Sequence, residues 1–233
     1  MRHALQSLAV LSAVVVLPAV ALAQGETEMS RKVAGGGISV PGWSGVIDAK
    51  ETSAGQVLAN SKLSAQGKVL TVTTGPAVIY WNPANKATGN YTVKATFTEA
   101  KYMDINDHPH PYGIVVGGND LGTPNQSYLY CAAYGNGNFI VRGMGPAPFQ
   151  MNGRGEANAA VNKAAGKGQP VTQEIAVSVK GDKVTCAING TVVGTYDRAA
   201  LVAAGKLKSL DGVFGIRFAH NTEATVTGLA VTK

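Results

Sequence analysis

Apolar and polar positions alternate most regularly between Gln173 and Tyr196. Ile175, Val177 and Val179 are separated by polar or small residues. After Lys180-Gly181-Asp182-Lys183 the pattern resumes at Val184, Cys186 and Ile188, and Asn189-Gly190 leads into Thr191–Tyr196. A period of two puts one face of each segment in a core. Gly-Asp and Asn-Gly supply residues that accept the positive φ of tight hairpin turns. The segment predicts a three-stranded antiparallel meander and argues against a helix-bearing nucleotide fold.

The same reading predicts strands around Trp43–Ala49 and over Lys68–Thr74, Ala77–Trp81, Tyr91–Thr98, Tyr112–Gly117, Val213–Ala219 and Ala224–Thr232. Tyr128–Tyr134 and Phe139–Gly143 form a predicted hairpin across Gly135-Asn136-Gly137-Asn138. Asn82-Pro83-Ala84-Asn85 reads as a turn, and Gly145–Pro170 as a long surface excursion. Arg198–Ala204 is expected to make one or two helical turns, with Asp197 as cap and Gly205 as stop. About eleven short strands between turn signals define an all-β fold, a two-sheet antiparallel jelly-roll β-sandwich.

The start of the chain carries a separate signal. Met1-Arg2-His3 is positive, Leu8 to Ala23 is apolar apart from Ser12, and the run closes on Ala21-Leu22-Ala23. That order predicts a signal peptide over residues 1–23, and with it a secreted or periplasmic protein. The apolar run is shorter than a ~20-residue membrane span and is interrupted by Pro18, so no span is expected after cleavage. Residues 24–37 are polar and then glycine-rich and read as a flexible arm, leaving 38–233 as the sandwich domain. Net charge is +6, but the cations are scattered with no basic run beyond Arg31-Lys32, so nucleic acid is not expected as a partner. Cys131 and Cys186 both fall mid-strand on aliphatic sides. Their spacing has no zinc or thioredoxin pattern, and it leaves open whether they form a disulfide or stay as two buried thiols.

Several segments together carry a resemblance. They are Tyr80-Trp81-Asn82-Pro83, Tyr91-Thr92-Val93-Lys94-Ala95, Tyr112-Gly113-Ile114-Val115-Val116-Gly117-Gly118, Ile188-Asn189-Gly190-Thr191-Val192-Val193, and Gly212-Val213-Phe214-Gly215-Ile216-Arg217 with His220-Asn221. From Trp43 to Thr232 the chain resembles the concanavalin A-like lectin/glucanase superfamily. Within it, the chain looks nearest to the laminin-G-like domains and to the secreted bacterial domains labelled 3-keto-disaccharide hydrolase. The resemblance implies a concanavalin A-like sandwich and a glycan or polysaccharide as partner. The E-x-D-x-E strand of the superfamily's glucanases, which pairs acid and nucleophile on one face, is absent here.

Two groups of residues are candidates for chemistry. The first is Asp104-Ile105-Asn106-Asp107-His108-Pro109-His110-Pro111-Tyr112. Carboxylates and imidazoles together suit acid–base work or a divalent cation, the one candidate cofactor. Asp104, Asp107, His108 and His110, with His220 near the chain's end, are the catalytic candidates. Asp104, Asn106 and Asp107 are the oxygen set for a hard ion. The second group is Tyr128, Tyr130 and Tyr134, on the side of their strand away from Leu129 and Cys131, with Arg142 on the partner strand and Tyr112 nearby. Flat rings beside donors suit sugars, so these five are the carbohydrate-binding candidates, with their rings expected to face solvent. Three functions stay open: a glycan-binding module, a hydrolase or lyase acting on a sugar derivative such as a 3-keto-glycoside, and a structural or adhesion domain. Convergence of His108, His110 and His220 in a cleft favours the enzyme. An open tyrosine face favours the module.

Overall fold

The computed structural model describes residues 28–233, so the leader expected over residues 1–23 lies outside the described residues. The strands, in chain order, are β1 Gly37–Ile38, β2 Ser44–Ile47, β3 Lys62–Gln66, β4 Val69–Thr73, β5 Val78–Ala87, β6 Tyr91–Glu99, β7 Tyr112–Asn119 and β8 Ser127–Ala133. They continue as β9 Asn138–Met144, β10 Phe149–Gln150, β11 Glu156–Ala157, β12 Val171–Lys180, β13 Lys183–Ile188, β14 Thr191–Asp197, β15 Gly212–Phe218 and β16 Glu223–Thr232. Two short helices, α1 Ala49–Ser53 and α2 Arg198–Leu201, sit in connections. None of the described helices is long and apolar enough to cross a membrane.

The strands form two sheets packed face to face, a jelly-roll β-sandwich. One sheet has the order β1-β3-β4-β16-β6-β12-β13-β14 and the other β10-β9-β8-β7-β15-β5-β2, with β11 also paired to β9. The predicted meander is present: Val177 pairs with Cys186 and Val179 with Val184. Asn189 and Gly190 both take positive φ, the requirement of a two-residue turn that matches strand twist. The first sheet behaves as the alternation predicts. Ile175, Val177, Val179, Val184, Cys186 and Ile188 are buried between the sheets, and their neighbours face water.

Two expectations are corrected. Asn82–Asn85 is not a turn; β5 runs through it. Pro83 has no ladder bond to lose, because β2 pairs only with Val78–Trp81 and the β15 register shifts between Val213 and Gly215, leaving a gap opposite Pro83. Residues 28–37 of the expected flexible arm are docked. Backbone bonds run from Val33 N to Asn60 O (3.1 Å) and from Gly37 N to Ser61 O (2.7 Å), and Gln56 Nε2 donates to Ser30 O at 2.7 Å.

Cys131 on β8 and Cys186 on β13 form a disulfide that ties one sheet to the other, with their Cα atoms 6.0 Å apart.

One buried acid sets a pH dependence. Glu99 ends β6 almost fully enclosed. One carboxyl oxygen accepts from Met103 N (3.2 Å) and the other has no partner. Burial pushes its pKa up to about 7. A carboxyl raised on folding contributes stability fully present below its unfolded pKa and lost as pH rises through the folded value. Glu99→Gln should therefore be more stable than the parent by on the order of 2 kcal/mol near pH 8 and match it near pH 4. Urea melts at a series of pH values check this; parallel curves for the two proteins would refute it.

Candidate functional site

The two faces of the second sheet are both covered. Every residue of β8, and every residue of β7 except Asn119, is buried. The inner side packs against the first sheet. On the outer side Ile79, Trp81, Val115, Tyr128, Tyr130 and Ile140 form a second apolar cluster, joined by Tyr134 and Met144. Tyr128, Tyr130 and Tyr134 are thus on the predicted side of the strand, but the expected exposure is corrected. Tyr128 and Tyr130 are 2% and 4% exposed, and their ring centroids lie 6.5 Å apart. They pack into the apolar cluster of that face. Tyr112 is corrected further. It is on the inner side, fully buried, stacked on Phe97 at 5.6 Å and close to Phe218 at 6.0 Å.

Above the tyrosines a cavity of about 390 Å³ opens. Tyr130, Tyr134, Arg142, Arg217, Lys50 and His220 are among its lining residues. β15 aims Arg217 outward because Phe214, Ile216 and Phe218 take the inner side. Its guanidinium makes a two-pronged pair with Asp48, both bonds 2.6 Å, and lies 5.6 Å from the Tyr130 ring centroid. Burial alone would depress Arg217, but Asp48 and the tyrosines outweigh it and hold the charge firmly. Burial pushes the Tyr134 hydroxyl up to about 12, so it stays a neutral donor. The Nε of Arg142 is buried without a partner.

His220 is also one wall of a second group. The loop between β6 and β7 carries His108 and His110, the turn after β15 carries His220, and the docked N-terminal segment brings Glu28. One donor atom from each of these four lies within 4.8 Å of every other. The Nε2 atoms of His108 and His110 face each other at 2.9 Å. The His110 ring centroid is 4.2 Å from those of both His108 and His220. Burial, then the neighbouring His220 and His108, push His110 down to about 3, so it is a neutral imidazole. Burial also lowers His220. Asp107 bonds His108 Nδ1, and that bond holds Asp107 below the usual carboxylate range.

Of the sequence candidates, His108, His110, His220 and Asp107 come together. Asp104 does not: it points to Lys101 at 3.9 Å. Asn106 uses its amide to donate to Asn221 O at 2.9 Å. The oxygen set Asp104, Asn106 and Asp107 therefore does not converge, because the three side chains turn to different partners along the loop. Glu28, Asp48 and Lys50 were missed. Nothing periodic marks Glu28, which reaches the site only through tertiary docking. A signal did exist for the covered outer face: β7 and β8 are near-continuous apolar runs, the pattern of strands buried on both sides.

No protein-family model matches the chain, and no curated protein matches it. Solved structures share the fold. A carbohydrate-binding module, CBM66, from Bacillus subtilis superposes with a TM-score of 0.55 at 7% identity, over 85% of this chain and 99% of that one. A Bacillus subtilis protein of unknown function with a galectin-like fold gives 0.52 at 12%, over 81% and 88%. An endo-β-1,3-glucanase from Pyrococcus furiosus gives 0.50 at 10%, over 81% and 87%. At these identities the likeness is one of fold: the chain is a β-sandwich of the architecture found in carbohydrate-binding modules, galectin-like proteins and glucanases.

Proposed function

We propose that this protein binds a glycan in the outer-face cavity, as a lectin-like module. The carrying observation is the cavity itself. An aromatic floor and wall, Tyr130 and Tyr134, stand beside the fixed donors of Arg217 and Arg142 within about 390 Å³, a volume that suits one or two sugar rings. Sugar C–H faces stack on the half-buried Tyr134 ring, Tyr130 closes the floor, and hydroxyls take the donors. Asp48 is neutralised by Arg217, while Lys50 and Arg142 have no acidic partner among the described residues. The surplus positive charge favours sugars bearing a carboxylate.

Calorimetric titration against neutral and uronate-containing oligosaccharides tests this. Uronate chains should bind, more weakly as salt rises. Arg142→Ala should weaken binding at least about tenfold with little change in melting, since its charge is lost from a partly exposed rim. Absence of binding to the whole panel, or unchanged binding by Arg142→Ala, would count against the reading.

A second reading gains from the convergence set out above as the mark of an enzyme: His108, His110 and His220 meet, and His220 also lines the cavity. On that reading the chain acts as a hydrolase or lyase on a sugar derivative, in keeping with the resemblance to 3-keto-disaccharide hydrolase domains. Mass spectrometry of 3-keto-glycosides incubated with the protein separates it from simple binding: cleavage that His220→Gln abolishes supports it.

A further inference from the structure

We propose that Glu28, His108, His110 and His220 form a binding site for one divalent transition-metal ion of the zinc class. This does not depend on what occupies the neighbouring cavity.

Geometry carries the inference. Three segments far apart in sequence deliver three imidazoles and one carboxylate to a single point, with one donor atom from each within 4.8 Å of every other. In His108 and His110 two ring nitrogens oppose each other at 2.9 Å. Two neutral imidazoles can share one proton across that gap, but the third ring and the carboxylate then crowd the same space, Glu28 Oε2 taking only a long bond from Asp107 N at 3.3 Å. A cation at the centre accepts all four. Ligands at the usual ~2.0–2.2 Å from an ion lie roughly 3 Å from one another, so little adjustment is needed. His110 is 5% exposed, and its Nδ1 has no partner.

The surrounding contacts are those that orient ligands. The Nδ1 of His108 is taken by Asp107, which leaves Nε2 for an ion. Ser30 Oγ lies 3.4 Å from His220 Nδ1 and itself donates to the buried Glu51 at 2.6 Å, so a Glu51–Ser30–His220 chain fixes that ring with its Nε2 free. Asn221 Nδ2 donates to Glu28 Oε1 at 2.7 Å, and Glu28 Oε2 lies 3.7 Å from His110 Nε2 and 3.5 Å from His108 Nδ1, on the side of that ring shared with Asp107. Carboxylates and hydroxyls on the outer nitrogens of ligating histidines are the usual supports of a metal centre. Access exists as well: Glu28 and His220 line a cavity of about 340 Å³.

The donor set selects the ion. Three nitrogens and one oxygen suit Zn²⁺ and its divalent first-row neighbours. Ca²⁺ and Mg²⁺ prefer all-oxygen shells, and Cu⁺ prefers sulfur.

The test uses the purified protein stripped with chelator, then offered Zn²⁺, Co²⁺ or Ca²⁺, desalted, and measured by elemental mass spectrometry and thermal melting. About one equivalent of Zn²⁺ should be retained and the melt should rise, because an ion bound only by the folded state stabilises it. Co²⁺ should give visible absorption bands of nitrogen–oxygen coordination, and Ca²⁺ should do neither. His108→Gln, at an exposed position, should keep the fold of the stripped protein and lose retained Zn²⁺, and Glu28→Gln should weaken it at least about tenfold. No retained Zn²⁺ with no shift in melting would overturn the proposal. So would retention by His108→Gln equal to the parent's, or a response to Ca²⁺ alone.

Discussion

Replacing Cys131 and Cys186 together by alanine is expected to lower the melting temperature by roughly 10 °C. The bridge closes a loop spanning 55 positions in sequence. In the chain-entropy account a loop of that length restricts the unfolded state by about 4 kcal/mol. For a domain of this size that converts to some ~2–4 °C per kcal/mol. The loop holds β9 and β12 with the excursion between them, so the staple joins halves of the sandwich that otherwise meet only through side-chain packing. Both sulfurs are buried at the centre of the inter-sheet core, so the reagent must reach them through unfolding. Thiol titration in denaturant without reductant should find no free thiol, and titration after reduction should find both. Two thiols reacting before reduction, or a double variant melting within about 2 °C of the parent, would refute this account of the core.

The fate of these cysteines shows where a sequence stops being readable. Alternation placed each on the inner side of its strand, which is a local property. Whether β8 and β13 cross at bonding distance depends on how two sheets stack, and no local pattern carries that. The same divide runs through the site. The side of β8 that bears Tyr128, Tyr130 and Tyr134, and the outward direction of Arg217, followed from period two. Their burial did not, because it comes from packing with side chains of neighbouring strands on that face, among them Ile79, Trp81, Val115 and Ile140. His108 and His110 stood out by composition. Their meeting with His220 required β7 and β15 to be neighbours in the second sheet, where Phe218 pairs with Tyr112 and brings the two loops to one edge. Glu28 came from a segment with no pattern at all. Its docking rests on Asn221, whose positive φ of 46° turns the chain so that its side chain bonds Arg31 N, Glu28 and the backbone at Met29.

Breaking the Arg217–Asp48 pair should have the other large effect. Both groups are nearly enclosed, with side chains 9% and 14% exposed, and both guanidinium bonds are short and parallel. Removing one partner leaves a charge stranded at the base of the cavity, which typically costs ~3–5 kcal/mol. Asp48→Asn strands Arg217 against the tyrosines. Arg217→Met fills similar volume but strands Asp48 and gives up the contact with the Tyr130 ring, worth up to ~2 kcal/mol when desolvated. The double variant, Arg217→Met with Asp48→Asn, removes both charges. It should be more stable than either single variant, because the single losses are mostly the penalty of an unpaired charge rather than the net worth of the pair. Denaturant melts of the four proteins form a double-mutant cycle. A coupling energy above ~1 kcal/mol is expected, and additive losses within about 0.5 kcal/mol would mean that water reaches the pair freely and that the cavity base is not the dry, charge-fixed surface described above.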